Sequence, residues 1–229
     1  MNVLAIDTAT EVLGIALSTG GERRVITVRI GLKHSETLLP WIKLLIEDSG
    51  IQLADLQLIV CSLGPGSFTG LRIGLAAAKG LATGSSCPLI GIPGLDALAF
   101  RYRSFRGVVI PLADARRKKV YAALYRQGKR ISDYLDIPIA RLALDLKEFN
   151  NLLLTGSEAE VLARIIAEEQ SREGITLDRG LPFTDPESLL EIGKELFDRN
   201  GNIQYNLEPL YLRKSEAEIN LYGEALNLE

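Results

Sequence analysis

The chain is poor in the side chains that carry metal, redox and nucleophilic chemistry: 229 residues include one His and two Cys. A lone histidine, His34, cannot build a zinc site, which takes three or four His, Cys or carboxylate ligands, and no HxxxH or HExxH pair exists. A Ser-His-Asp triad would have to use His34, which has no GxSxG elbow nearby. His34 therefore reads as a residue at the start of a helix or at an interface. Cys61 and Cys87 form no CxxC pair, a pattern of buried thiols in a reduced compartment rather than of a disulfide or zinc framework. No apolar run reaches the ~18 residues of a membrane span. The start Met1-Asn2-Val3-Leu4-Ala5-Ile6-Asp7 lacks a basic n-region, so no signal peptide is expected. The net charge of −3 argues against a general nucleic-acid binder.

What is present is an ordinary globular balance, 47% hydrophobic and 24% charged. A chain of this length buries roughly 70% of its unfolded surface, as one large domain or two small ones. Residues 3–7 form a short apolar run ending at Asp7-Thr8-Ala9-Thr10, the pattern of a buried strand and turn. Strands follow over 12–18 and 24–30, split by Thr19-Gly20-Gly21, then a helix over 35–48 and a buried strand over 57–62. Gly64–Gly70 turns the chain into a helix that ends near Gly84, and 88–92 adds a strand. The second half repeats the order. A strand over 107–113 ends at Asp114; strands over 119–126 and 130–138 flank Gln127-Gly128-Lys129. A weaker helix near 143–150, a strand over 152–155, a helix to about Gln170 and a last helix over 186–199 complete it. A strand meander, helix, strand and helix thus occurs twice, and the chain is expected to be a duplicated α/β protein.

The turn Gly64-Pro65-Gly66-Ser67-Phe68-Thr69-Gly70 joins a strand to a helix. Its glycines allow close backbone approach, and a helix start offers unpaired N–H groups to an anion. It reads either as a phosphate cradle or as a tight connection capped by Ser67 or Thr69. It is not a Walker A loop, because no Lys-Ser/Thr pair follows. Asp7 and Asp114 end equivalent strands; facing across a cleft, with Thr8 and Thr10 nearby, they are candidates to hold a metal-bound nucleotide. The candidate phosphate set is Asp7, Thr8, Thr10, Gly64, Gly66, Ser67 and Asp114, and the competing reading makes the aspartates turn or helix caps.

Two helices are more apolar than one buried face requires. In 35–48, Leu38, Leu39, Trp41, Ile42, Leu45 and Ile46 cover roughly 160° of arc. In 70–84 only Arg72 and Lys79 carry charge, and Gly70, Gly74 and Ala78 share a face. The surplus points to a partner interface over Leu38, Trp41, Ile42, Leu45, Gly70, Ile73, Gly74, Ala77, Ala78 and Leu81, or to burial beneath another part of the chain. Residues 101–130 hold Arg101, Arg103, Arg106, Arg116, Arg117, Lys118, Lys119, Arg126, Lys129 and Arg130 against Asp114 alone, with Tyr102, Phe105, Tyr121 and Tyr125 interleaved. Arg116, Arg117, Lys118 and Lys119 are the candidate contact for RNA or an acidic partner; a solvated strand face is the alternative.

Leu4-Ala5-Ile6-Asp7-Thr8-Ala9-Thr10, His34-Ser35-Glu36-Thr37-Leu38-Leu39-Pro40, Gly64–Gly70 with Leu71-Arg72-Ile73-Gly74, Asp114-Ala115-Arg116-Arg117 with Val120-Tyr121, and Pro209-Leu210-Tyr211-Leu212-Arg213 together resemble the TsaB (YeaZ) family. The resemblance implies two tandem actin-like, RNase H-like lobes of the actin-like ATPase (ASKHA) superfamily, here 1–100, with the partner-binding helices, and 101–229, whose last residues are expected to pack back on the first lobe. It implies a cytoplasmic, non-catalytic role in making N6-threonylcarbamoyladenosine on tRNA next to the anticodon. The implied partners are the catalytic paralogue TsaD, which carries the HxxxH motif, and the ATPase TsaE, with a homodimer when alone. The helices 35–48 and 70–83 would form the TsaD contact, and tRNA would be met through the complex. Neither metal nor cofactor is implied as required, and the cleft would be a degenerate ATP/Mg2+ site. The alternative is a free-standing actin-like phosphotransferase, which needs a base and a substrate-binding insertion for which 229 residues leave little room.

Overall fold

The computed structural model describes residues 1–31, 33–170, 174–180, 182–200 and 207–212. Arg213 and the tail from Ser215 to Glu229 lie outside the described residues. The first half runs β1 (Val3–Asp7), β2 (Val12–Thr19), β3 (Glu22–Arg29), α1 (His34–Asp48), β4 (Leu58–Ser62), α2 (Phe68–Ser85), β5 (Leu89–Ile92) and α3 (Gly94–Phe100). The second runs β6 (Val108–Asp114), β7 (Lys119–Ala122), β8 (Tyr125–Arg126), β9 (Lys129–Arg130), β10 (Leu135–Pro138), α4 (Ile139–Asp145), β11 (Leu152–Gly156), α5 (Ala159–Gln170), β12 (Ile175–Leu177) and α6 (Pro186–Asn200).

The two sheets share one topology. The first has the order β3-β2-β1-β4-β5 and the second β10-β7-β6-β11-β12, with the small β8–β9 hairpin attached to β6. In each, the first strand is central, antiparallel to the second strand and parallel to the strand that follows the first helix. β1 and β4 are buried along their whole length, which is why they read as unbroken apolar runs. β3 lies at an edge and alternates instead: Ile26 and Val28 pack on the core while Arg23, Val25, Thr27 and Arg29 face out.

Five layers result. Helices α1 and α2 cover one face of the first sheet through Leu38, Ile42, Leu45, Leu75 and Ala78. The other face of that sheet packs on α6 through Leu189 and Leu190. Helix α3 presents Leu95 and Leu98 to Val109 and Leu153 of the second sheet. Helices α4 and α5 close the far face through Leu142, Leu162 and Ile166. The last helix of each half therefore packs on the other half's sheet. The approach of α6 depends on Gly193, where a Cβ would lie 2.3 Å from Val60 Cγ2. Lys194 Nζ donates to Ser18 Oγ at 2.7 Å and Arg23 pairs with Glu191 at 3.0 Å, fixing α6 along β2 and β3.

Several local expectations change. The expected strand over 119–126 breaks into β7 and β8, and that over 130–138 into β9 and β10. The helix expected at 143–150 starts earlier, after Pro138, because proline suits the residue before a first turn. Helix α3 and strand β12 were not predicted; both are short, and an apolar run of seven residues shows no clear period. Among the described residues no helix is long and apolar enough to cross a membrane.

Candidate functional site

The C-terminal end of β1 and the glycine turn meet in one buried polar cluster. Asp7 is buried, and its Oδ1 accepts the Ala9 N–H at 2.7 Å. Its carboxylate also accepts the hydroxyls of Ser62 and Thr184. Burial pushes its acidity weaker than that of an ordinary aspartate, against the opposing pull of those donors. Thr8 is buried and donates to Gly70 O at 2.8 Å, while Thr10 Oγ1 accepts the Val12 N–H at 3.1 Å. His34 begins α1, is buried, and donates from Nε2 to Thr10 O at 2.7 Å, leaving Nδ1 without a partner.

The turn is tied to this cluster by its glycines. A Cβ at Gly66 would sit 2.2 Å from Ala9 O, and one at Gly70 2.2 Å from Thr8 O. Ser67 N–H donates to Ala9 O at 2.7 Å, and Ser67 Oγ caps α2 by accepting Gly70 N–H at 3.2 Å. Gly64, at φ 88°, turns its carbonyl to Gly94 N–H at 2.6 Å. Of the two readings of the turn, these bonds favour the capped connection: donors that a phosphate would need are used by the protein itself.

A segment that sequence reasoning missed completes the cluster. Asp185 caps α6 through Glu187 N–H at 3.1 Å, and Pro186 stands at its first turn. The same stretch lays Thr184 against Asp7 and Pro186 against Gly14, where a Cβ would be 3.5 Å from the proline ring. The Asp-Pro-Glu run signals a helix start, but nothing in it says that the start will close over Asp7. A Mg2+-bound nucleotide fits these residues poorly, since Asp7 is buried with its oxygens turned to Ala9, Ser62 and Thr184.

Asp114 has different neighbours. Its backbone N–H donates to Ser157 Oγ at 3.2 Å, its Oδ1 accepts Arg116 N–H at 2.6 Å, and its carboxylate pairs with the Arg116 guanidinium at 3.4 Å. The turn behind it holds Arg116, Arg117 and Lys118 at φ 62°, 55° and 60°, three successive left-handed residues. Lys119 pairs with Asp136 at 3.5 Å. Among the described residues no group of three or more His, Cys, Asp or Glu side chains is placed to hold a metal ion.

The expected interface residues divide by burial. Leu38, Ile42, Leu45, Gly70, Gly74 and Ala78 face the chain's own core, and Trp41, Ile73, Ala77 and Leu81 are half-buried beside it. Gly74 serves Thr8, since its Cβ would lie 2.2 Å from Thr8 Oγ1. The apolar arcs of α1 and α2 sum two neighbours, the sheet and each other, so their excess is partly consumed within the chain. The apolar and small residues that α1 and α2 expose include Leu39, Pro40, Leu44, Phe68, Ala76 and Gly80, among charged neighbours such as Lys43, Glu47, Arg72 and Lys79. Leu39 and Leu44 remain 52% and 51% exposed, on separate lines of α1, since five residues turn a helix by about 140°. At the end of this face Arg72 stacks 3.8 Å over Phe68 and donates to Tyr211 Oη at 3.1 Å, while Leu210 N–H donates to Leu63 O.

Comparison with known proteins places this geometry. Residues 29–221 match the family model described as TsaD, tRNA N6-adenosine threonylcarbamoyltransferase. The chain is 33% identical to the tRNA threonylcarbamoyladenosine biosynthesis protein TsaB of Bacillus subtilis, over 95% of this chain and 96% of that one. It is 38% identical to the TsaB of Escherichia coli, over 98% and 100%. The YeaZ structure from Pseudomonas aeruginosa superposes with a TM-score of 0.78 at 26% identity, over 92% of this chain and 99% of that one. A polyphosphate/ATP-glucomannokinase from Arthrobacter superposes at a TM-score of 0.54 and 11% identity over 87% and 99%, a likeness of fold alone.

Proposed function

The chain belongs to the TsaB family of tRNA threonylcarbamoyladenosine biosynthesis proteins, and from that membership we propose that it is a non-catalytic subunit of the machinery that makes this modified nucleoside on tRNA. Its partner in this reading is the TsaD paralogue, with the ATPase TsaE joining the pair and tRNA met by the assembly. A homodimer through the same face forms when the chain is alone, and the assembly works in the cytoplasm. Neither nucleotide nor metal is needed by this chain.

The observation that carries the reading is a contrast between its two candidate sites. The polar cluster around Asp7 is closed over by Thr184, and the Asp7 carboxylate is engaged by Ala9 N–H and the Ser62 and Thr184 hydroxyls. The α1–α2 surface presents the exposed Leu39 and Leu44 and the Phe68–Arg72–Tyr211 stack, whose aromatic and arginine side chains are the types enriched at protein interface centres. Reconstitution of tRNA modification with and without the chain tests the role: equal product without it overturns the proposal. Steady ATP turnover with a small-molecule acceptor by the pure chain overturns the non-catalytic part. For the interface, Leu39→Asp with Leu44→Asp is expected to weaken pairing with TsaD by at least about tenfold, with the monomer still folded, because both residues are exposed. Size-exclusion of the mixture reads it, and undiminished co-elution removes α1 from the interface.

A further inference from the structure

We propose that the β8–β9 hairpin and the loop before β6 form a phosphate-backbone surface for the tRNA substrate. The inference rests on the tRNA-modification reading above. The basic stretch that is continuous in sequence is split in space: Asp114 pairs with Val120 at one end of β6, and Val108 pairs with Arg126 at the other. Arg116, Arg117, Lys118 and Lys119 gather at the first end, where Arg116 is held by Asp114 and Lys119 by Asp136. Arg103, Arg106, Arg126, Lys129 and Arg130 belong to the second end, and all five are exposed.

At that second end the cations are arranged against their own repulsion. Arg126 and Lys129 are direct cross-strand partners on a tight turn through Gln127 and Gly128, at φ 50° and 72°. Like charges placed opposite one another destabilise a strand pair unless an anion lies between or over them. Arg106, Arg126 and Lys129 form no ion pair among the described residues. Arg130 is braced 3.9 Å over the Tyr134 ring, whose hydroxyl donates to Asp96 at 2.8 Å. Arg103 stacks 4.1 Å over Phe100 and packs beneath the turn, 3.1 Å from where a Gly128 Cβ would be. Arg103 Nη1 donates to Phe100 O and Arg130 Nη1 to Ser132 O, each at 3.3 Å, so each guanidinium is held in place and offers the rest of its fork to phosphate oxygens. The acids at hand are Glu191, 3.8 Å from Arg103, Glu148, which lines a 280 Å3 hollow with Arg126, and Asp133. Ile131 is the exposed apolar side chain beside the hairpin, too little for the apolar centre of a protein interface. Phosphate contact without base edges suits a subunit that positions RNA rather than reads it.

The experiment uses the full chain assembled with TsaD and measures tRNA binding across a KCl series. Arg126→Glu with Lys129→Glu is expected to weaken binding at least about tenfold at low salt and to lower the log K against log salt slope by about one to two, since each phosphate contact contributes about 0.7–0.9. Arg116→Glu with Arg117→Glu is expected to change affinity by less than about threefold. Single Arg126→Glu faces Lys129 as an opposite pair, so its Tm stays level or rises while binding weakens; a folding defect would lower both. Wild-type affinity and slope in the hairpin double variant overturn the proposal. So does loss of TsaD co-elution with tRNA affinity intact, which would make the hairpin a protein contact. The wild-type assembly alone tests the underlying role: chain-dependent modification together with an unaffected hairpin variant rejects this surface and leaves that role standing.

Discussion

Asp7 and Asp114 close the first strand of the two halves at matching places in one repeated topology, yet their surroundings diverge. Asp7 is packed from three sides: by Ala9 of its own turn, by Ser62 of β4, and by Thr184 at the start of α6. Asp114 stands exposed, paired with Arg116 on a left-handed turn. The difference follows from the exchange of last helices. The start of α6, from the second half, descends onto Asp7, whereas α3 covers the second sheet by Leu95 and Leu98 and leaves Asp114 open. A duplicated fold thus holds one equivalent carboxylate as internal structure and the other as surface.

The largest expected effect comes from wedging the packed end apart. Gly74→Val would put a Cβ 2.2 Å from the buried Thr8 Oγ1, which can yield only by turning away and giving up its hydrogen bond to Gly70 O. A loss of about 3 kcal/mol or more is expected in urea unfolding, the range of severe overpacking. A Gly74 variant that stays folded and fails only in partner pairing would return Gly74 to the interface and break the comparison.

Paired substitutions at the two aspartates come next. Asp7→Ala leaves the Ala9 N–H and the Ser62 and Thr184 hydroxyls buried without their acceptor, each worth about 1–3 kcal/mol. Asp114→Ala removes an exposed ion pair and one exposed hydrogen bond to Arg116 N–H, and costs about 1 kcal/mol or less. Asp7→Asn keeps an acceptor for Ala9 and separates shape from charge. Burial raises the folded pKa of Asp7 above its ordinary 3.8, so the native state binds the extra proton. The stability this gives is present below 3.8 and is lost as pH rises through the folded value. Asp7→Asn therefore gains on the wild type as pH rises from acid to neutral. Urea midpoints at several pH values read this, and parallel pH profiles for wild type and Asp7→Asn would deny the raised pKa.

Much of the frame was legible in the residues. β1, β4 and β11 lie buried between layers, so apolar runs alone announce them, and the repeated order of elements announces the duplication. Helix amphipathy was legible too, but it says only that a face is covered, not by what. That is why α6 was placed in sequence, and the last residues were expected to pack back on the first lobe, while nothing local named Thr184, Leu189 and Leu190 as the residues that land there. The glycine turn was visible as a motif. Its hydrogen bonds to Ala9 and Gly94 join residues 58 and 30 positions apart and have no local signature. The basic stretch misled by continuity: β6 carries its two ends apart, and charge counted along the chain ignores that separation.

The smallest expected effect concerns the turns that follow the two aspartates. No residue between β1 and β2 has a positive φ, and its backbone is held by Asp7 and Thr10 side chains acting as acceptors. Between β6 and β7, Arg116, Arg117 and Lys118 all do, each a conformation that costs a non-glycine residue of order 1 kcal/mol. Lys118 is the cleanest probe: its carbonyl accepts Ile139 N–H at 3.1 Å, a bond that glycine retains. Relief of strain in Lys118→Gly is partly offset by the greater freedom of glycine in the unfolded chain, so a net gain of about 0.5 kcal/mol is expected. Thr10→Gly, in the other turn, relieves nothing and leaves the Val12 N–H without the threonine acceptor, so it loses stability by about 1 kcal/mol. Opposite signs for the two glycine variants in urea unfolding would establish that one turn is satisfied by its side chains while the other is held against its backbone preference. Equal losses would mean that the basic turn relaxes in solution, and the contrast between the two ends would then reduce to burial alone.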